Sequence, residues 1–401
     1  MALAIPAEVC ELVISHILTP DDFYWAPNRI LPYTLEPDVR ACLISLRLVS
    51  RTFCASASPQ LFRHIVALAH SSTASKEPLG RLLEISQSPY SAYVRYVEVG
   101  HDNWSRCHSE SHGQDVQDLA GLLSPCLARL SNLQAILFAA SSDTLSRDHA
   151  TSIISAFITA LHYVPIPHLE ALDVSFPLAY DFEKIFPSGP IRLRVPIESI
   201  LGRLKYLRLH VSAHTNEQGQ RYWRTPVLPA HAALPNDLYA GRLVDLTNGA
   251  PNLDSLSITS IDLLPLQFER FNIYIRLTSL SLTRVLLSSD YFLPLIRQSK
   301  DTLRHLQLHL LQLHQGTWDE VLSFMAQLTR LVDFSIGSCG YPSTGPNADL
   351  SALQSAPDDT VALETLNIAD ETAFERLRER VNTNRAAEGL RPFTNRDFRI
   401  Y

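Results

Sequence analysis

A chain of 401 residues exceeds one ordinary domain, and its composition, 46% apolar with only 14 glycines, is that of a packed protein and not of a disordered or collagen-like one. Its 41 acidic and 34 basic residues leave a formal charge of -7 with no basic block, which speaks against a nucleic-acid surface and leaves soluble proteins as the default partners. No run of about eighteen uninterrupted apolar residues occurs, so no membrane span is predicted.

The first segment, Ile5 to Ile65, opens IPAEVCELVISHIL and closes LRLVSRTFCASASPQLFRHI. Pro6 supplies a helix-compatible φ, Glu8 and Glu11 fall where the helix dipole favours acid, and Val9, Leu12, Val13 and Ile17 form one stripe. Further on, Val39, Leu43, Leu46, Val49 and Phe53 recur at helical spacing, while Ile44, Leu48 and Ala55 mark a second apolar face on the same predicted helix. A segment of about sixty residues has too small a core to cover both faces. Part of that surface is expected to meet a partner.

Ile5-Pro6, Glu8, Ile14, Ile17-Leu18, Leu46 to Arg51, Phe53, Ala57, Pro59 and Leu61-Phe62, in that order, resemble the F-box. The combination joins a Leu/Ile-Pro opening to a VSR-x-F helix and a closing P-x-L-F, over roughly a sixth of the chain. The resemblance implies a three-helix motif that docks on a Skp-type adaptor and, through it, on a cullin-RING ubiquitin ligase. Carried over position by position, and joined to the two-faced-helix argument, it implies adaptor contact by Ile5, Pro6, Ile17, Leu18, Leu43, Leu48, Val49 and Leu61. The chain departs from the family between the two halves. Where a short acidic-Leu turn is usual, residues 19–37 insert four prolines and four aromatics, predicting an ordered loop that bears on adaptor affinity. The other reading of the segment is a helical cap on a larger domain.

Residues 68–92 read as a connector. Beyond it the phrase L-x-x-L-x-L recurs nine times, starting at Val94, Leu133, Leu169, Leu204, Leu253, Leu277, Leu303, Leu331 and Leu363, at intervals of 24 to 49 residues. Several intervals hold helical text such as TSIISAFITALHYV and WDEVLSFMAQL, so each unit reads as a short strand plus a helix. Such units cover their apolar faces only by stacking. The phrase resembles the leucine-rich repeat, and the expected fold is α/β: an N-terminal three-helix F-box followed by an irregular leucine-rich-repeat-like solenoid, or horseshoe, over residues 93–390. The Asn or Cys that usually follows the last Leu appears only as Cys339, so an irregular arc without the side-chain ladder is expected. An ordinary α/β domain gives a similar alternation.

Excess length follows the strand phrase at Gly100–Gln114, Ser175–Pro196, Val211–Leu243 and Gly337–Thr360, and is expected to gather as a rim. In RYWRTPVLP, Tyr222, Trp223 and Arg224 are residue types that dominate binding hot spots and are candidate substrate contacts. Trp223 alternatively anchors its own loop. HDNWSRCHSESH holds Cys107, His108 and His112 but no fourth ligand at a recognisable spacing, so no metal is assigned. Glu371 to Ala387 predicts a capping helix with Phe374, Leu377 and Val381 on one stripe, and residues 391–401 form a basic, aromatic tail that either folds back or meets a partner.

Six cysteines without C-x-x-C spacing read as buried thiols of a reducing compartment, and no basic-then-apolar leader is legible, so cytoplasm or nucleus is expected. No nucleophile elbow, phosphate loop, zincin or dinucleotide fingerprint occurs. The expected role is therefore a non-enzymatic substrate receptor without cofactor, binding a Skp-type adaptor and a protein substrate, with no nucleic acid and no membrane. A ligase-independent binding scaffold is the first alternative, and a hydrolase or metalloenzyme on the rim the second.

Overall fold

The computed structural model describes residues 5–18, 35, 37–69, 78–101, 112–140, 147–186, 195–216, 227–267, 275–352 and 361–398. The fold is α/β, and all its named strand ladders are parallel. It divides into two compact units, Met1–Val174 with Gly189–Ile200, and Ser175–Ser188 with Leu201–Tyr401. Among the described residues no helix is long and apolar enough to cross a membrane.

The first unit begins with three helices, α1 (Ala7–Ile17), α2 (Pro37–Val49) and α3 (Arg51–Leu61). Strand β1 (His64–Ala69) follows α3 almost at once and pairs with β2 (Tyr96–His101), which pairs with β3 (Ala135–Ala140). The helical segment and the strands thus share one unit, and the boundary expected at residue 67 falls inside β1. Helices α4 (Pro78–Gln87), α5 (His112–Leu127) and α6 (Arg147–Tyr163) alternate with the strands. On α6, Ala150, Ile153, Ile154, Phe157, Ala160 and Leu161 form the buried stripe, and Phe157 stacks on Phe138 of β3 with ring centroids 4.0 Å apart. Gly100 in β2 has φ +134° and lies so close to Ala139 that an added Cβ would sit 1.9 Å from its carbonyl oxygen, which requires glycine there.

The division runs through β4 (Ala171–Phe176), and α7 (Ile197–Leu201) spans the next boundary. The second unit carries β5 (Tyr206–Val211), the short helices α8 (Pro229–Ala232) and α9 (Asn236–Tyr239), α10 (Gly241–Asn248), β6 (Ser255–Pro265), β7 (Ser279–Ser288) and α11 (Ser289–Gln298). It continues with β8 (His305–His309), β9 (Gln312–Gln315), α12 (Trp318–Met325), β10 (Asp333–Gly337), β11 (Cys339–Gly340), β12 (Leu363–Glu364) and α13 (Ile368–Ala387).

In eight of the nine phrases the strand starts two residues after the first apolar position, from Val94 before β2 to Leu331 before β10. Strand alternation then buries the second and third apolar residues on one face. In the second unit they stack in register as Leu207, Leu256, Leu280, Leu306 and Phe334, and as Leu209, Ile258, Leu282, Leu308 and Ile336. A backbone ladder supports the stack. The carbonyl of the residue before each strand accepts two N–H groups from the following repeat: Asp254 and Ser255 donate to Lys205, Thr278 and Ser279 to Asp254, Arg304 and His305 to Thr278. The same pattern ties Arg95 and Tyr96 to Arg63 in the first unit. These bonds extend each parallel ladder to the residue before the strand.

The ninth phrase is a correction. Only Leu363 and Glu364 form a strand, Leu366 and Ile368 are exposed, and Asn367 accepts from the Ala369 N–H to cap α13, so its side chain ends the strand by starting a helix. A further feature of the second unit lies at the end of the strands. After Thr283, His309 and Gly337, which stand in register, come Arg284, Leu310 and Ser338, all with positive φ. At this aligned corner each chain turns from its first strand segment into another, so β7 reaches β9 as well as β8, and β9 meets β11. The thiols also differ from expectation: Cys10, Cys126 and Cys339 are buried, but Cys42 is exposed.

Helix α13 closes the second unit. Leu377 and Val381 are buried, Phe374 meets Phe334 edge to face, and α13 side chains take the carbonyls that the 326–332 turn leaves open. Arg380 donates to Ala326, Asn384 Nδ2 to both Leu328 and Leu331, and Arg385 to Val332. The tail folds back here: Arg385 lies 3.6 Å over the Phe393 ring, and the Phe398 carbonyl accepts the edge N–H of Ile336 in β10. Replacing buried Asn384 by Ala is expected to cost about 2 kcal/mol, because two buried carbonyls lose their donor. Denaturant unfolding of the variant measures this, and a loss below about 0.5 kcal/mol would contradict the capping role.

Candidate functional site

The N-terminal helices close on a small core of Cys10, Ile14, Leu43, Phe53 and Ala57, with Leu18, Leu35, Val39, Leu46 and Leu61 packed against it. The helix predicted to run through Val39 and Phe53 breaks at Ser50. That side chain accepts from the Phe53 N–H at 3.2 Å and caps α3. The break explains the two apolar faces. Phe53, across the cap, turns inward, while Val49 at the end of α2 stays 64% exposed and Leu48 86% exposed.

The candidate residues therefore separate. Ile5, Pro6, Leu48 and Val49 are exposed; Ile17 is half-buried; Leu18 and Leu61 are half-buried against the core. Leu43 is a correction to the contact set. It has no exposed surface, because α1 and α3 close over the side of α2 that carries it, leaving it a core residue. Pro6 precedes the first helical residue, its carbonyl accepting from the N–H groups of Val9 and Cys10. The structure adds Val9, Leu12, Val13 and Ile44, all large, apolar and exposed. The spacing of Ile44 and Leu48 and of Val9 and Val13, four residues each, was the available signal, but periodicity alone does not say which of two apolar stripes turns inward.

The end of α2 is held firmly. Arg47 donates from Nη2 to the Tyr90 hydroxyl at 2.9 Å and lies 4.9 Å over the Phe62 ring, while Phe62 and Tyr90 stack at 4.2 Å. This cation-aromatic sandwich joins α2 to the helical turn Pro89–Tyr93 and fixes the neighbours of Leu48 in place. No family model matches this chain, and a search of curated proteins returns no match.

Tyr222, Trp223 and Arg224 lie outside the described residues, as do Cys107, His108 and most of the 19–37 insert. Among the described residues no group of three or more His, Cys, Asp or Glu is placed to hold a metal. In the second unit the strand face opposite the apolar one is polar: Arg208, Ser257, Ser281, Gln307 and Ser335 stand in one row, His210, Thr259, Thr283 and His309 in the next. His210, hydrogen-bonded to Ser175 at 3.0 Å, has its pKa lowered to about 4 by burial and by the positive charge of Arg208. It is neutral in the folded chain, whereas the unfolded chain protonates it near 6.5. The unfolded state therefore binds more protons between these values, and stability should fall as pH drops from about 6.5 to about 4, by at most about 3 kcal/mol. Unfolding at pH 7 and pH 4.5, for wild type and His210→Gln, checks this; a pH slope unchanged by the substitution would contradict it.

Beyond the end of β5 and within β6, His214, Thr215, Asn236 and Asp262 form a buried network. Asp262 faces His214 Nδ1 at 2.8 Å and accepts from the Thr215 N–H, the Thr215 hydroxyl and Asn236 Nδ2, each within 2.9 Å. Burial pushes the carboxyl upward, but these hydrogen bonds together outweigh it and hold Asp262 below the ordinary carboxylate range. Asn236 also reaches the Ala213 carbonyl and the Ala179 N–H. The cluster pins the segment after β5 to β6 and α9.

Proposed function

We propose that this chain is an F-box-type substrate receptor: the N-terminal helices dock a Skp-type adaptor, which links it to a cullin-RING ubiquitin ligase, and the leucine-rich-repeat-like strand array engages a protein substrate. The exposure of Leu48 and Val49 on a firmly held helix end carries the reading. Helices serving only as a cap would bury that face within the chain, whereas large apolar side chains left exposed on paired helices favour a partner with an apolar groove. The chain would supply specificity rather than chemistry, holding a substrate lysine at high effective concentration near the conjugating enzyme. Co-purification with a Skp-type adaptor tests it. Stoichiometric co-elution supports the receptor; a folded chain that never retains the adaptor leaves a binding scaffold.

A further inference from the structure

We propose that a cavity of about 390 Å³ in the first unit is a site for a small amphipathic anion, an aliphatic or aromatic body carrying a carboxylate. The cavity lies where the N-terminal helices meet β1 and α4, and its volume falls in the range of small-ligand clefts. Its apolar wall is built by Leu18, Leu61, Ile65 and Ile85, which offer a dry surface to a hydrocarbon body. Three arginines converge on it from separate elements: Arg40 from α2, Arg63 from the residue before β1, and Arg81 from α4. Arg63 is oriented by the Tyr96 hydroxyl at 3.2 Å and by the Tyr96 ring. Arg40 and Arg81 make no ion pair among the described residues, and Glu84 is the one acid among the described lining residues. Among the described lining residues the Arg40 and Arg81 guanidiniums stand against the single carboxylate of Glu84, which leaves forked donors in excess beside an apolar wall, the complement of a carboxylate with an apolar tail.

This inference stands apart from the adaptor reading. Calorimetric titration of the full chain with octanoate and with octanol, its neutral counterpart, tests it. Saturable octanoate binding is expected, at least tenfold tighter than octanol, falling at least tenfold in the Arg40→Gln, Arg81→Gln variant, whose changed side chains are exposed and leave the fold intact. Octanoate should also raise the melting temperature of the wild type. Octanol binding as tight as octanoate, octanoate binding undiminished in the variant, or no saturable octanoate binding would each overturn the proposal.

Discussion

If the chain is the adaptor-binding receptor proposed above, replacing Leu48 and Val49 together by Asp is expected to leave it folded and to remove its affinity for a Skp-type adaptor. Both side chains are largely exposed, so the folded chain gives up little buried area, and charged residues at a helix surface cost only tenths of a kcal/mol. The complex would have to bury two unpaired carboxylates in an apolar groove. Hot-spot losses of about 2 kcal/mol or more per residue predict a fall in affinity of at least about a hundredfold. Leu43→Asp is the contrasting variant. It puts a charge into the sealed core beside Cys10 and Phe53, and its loss of binding should come with loss of helical circular dichroism. Undiminished adaptor binding by the folded double variant would remove the face from the account.

A second large stability effect is expected at Asp262. Asp262→Ala deletes the acceptor shared by His214, the Thr215 N–H and hydroxyl, and Asn236, and all of these groups are buried. Unpaired donors in a closed site each carry a desolvation penalty, and removing one partner of a buried charged network costs about 3–5 kcal/mol. Asp262→Asn retains one carbonyl oxygen but turns an NH2 toward other donors, so an intermediate loss is expected. The carboxyl's lowered pKa gives the pH dependence. The stability it contributes is full above the ordinary carboxylate range and is lost as pH falls through the lower folded value. Its window therefore lies below that of His210. Denaturant unfolding measures both variants, and a cost under about 1 kcal/mol for Asp262→Ala would show that the network is not closed.

Eight of the nine strand positions were legible because the phrase is spaced from its strand by two residues and its apolar positions hold Leu, Ile, Val or Phe. An earlier copy, Phe62-x-x-Ile65-x-Ala67, precedes them and is not legible from the sequence, because its apolar positions hold Phe and Ala instead of Leu and because it overlaps the closing P-x-L-F of the helical motif. The corner at Arg284, Leu310 and Ser338 left no trace, since positive φ is ordinarily signalled by Gly or Asn and here tertiary stacking imposes it on Arg, Leu and Ser. Ser50 looked like one polar residue within a long apolar helix, and only its side-chain bond to the Phe53 N–H makes it a cap. That one cap decides the site: with an unbroken helix Val49 and Phe53 would share a face, and with the break one is exposed and the other buried. The buried Asp262 network joins residues up to 48 positions apart, beyond the reach of local spacing.

Amide hydrogen exchange of the full chain, alone and with a purified Skp-type adaptor, tests the central claim most directly. Slowed exchange is expected across Ala7–Ile17 and Pro37–Val49, with strands β5 to β10 unchanged. Unchanged exchange in both helices at saturating adaptor, or protection confined to the strands, would contradict it.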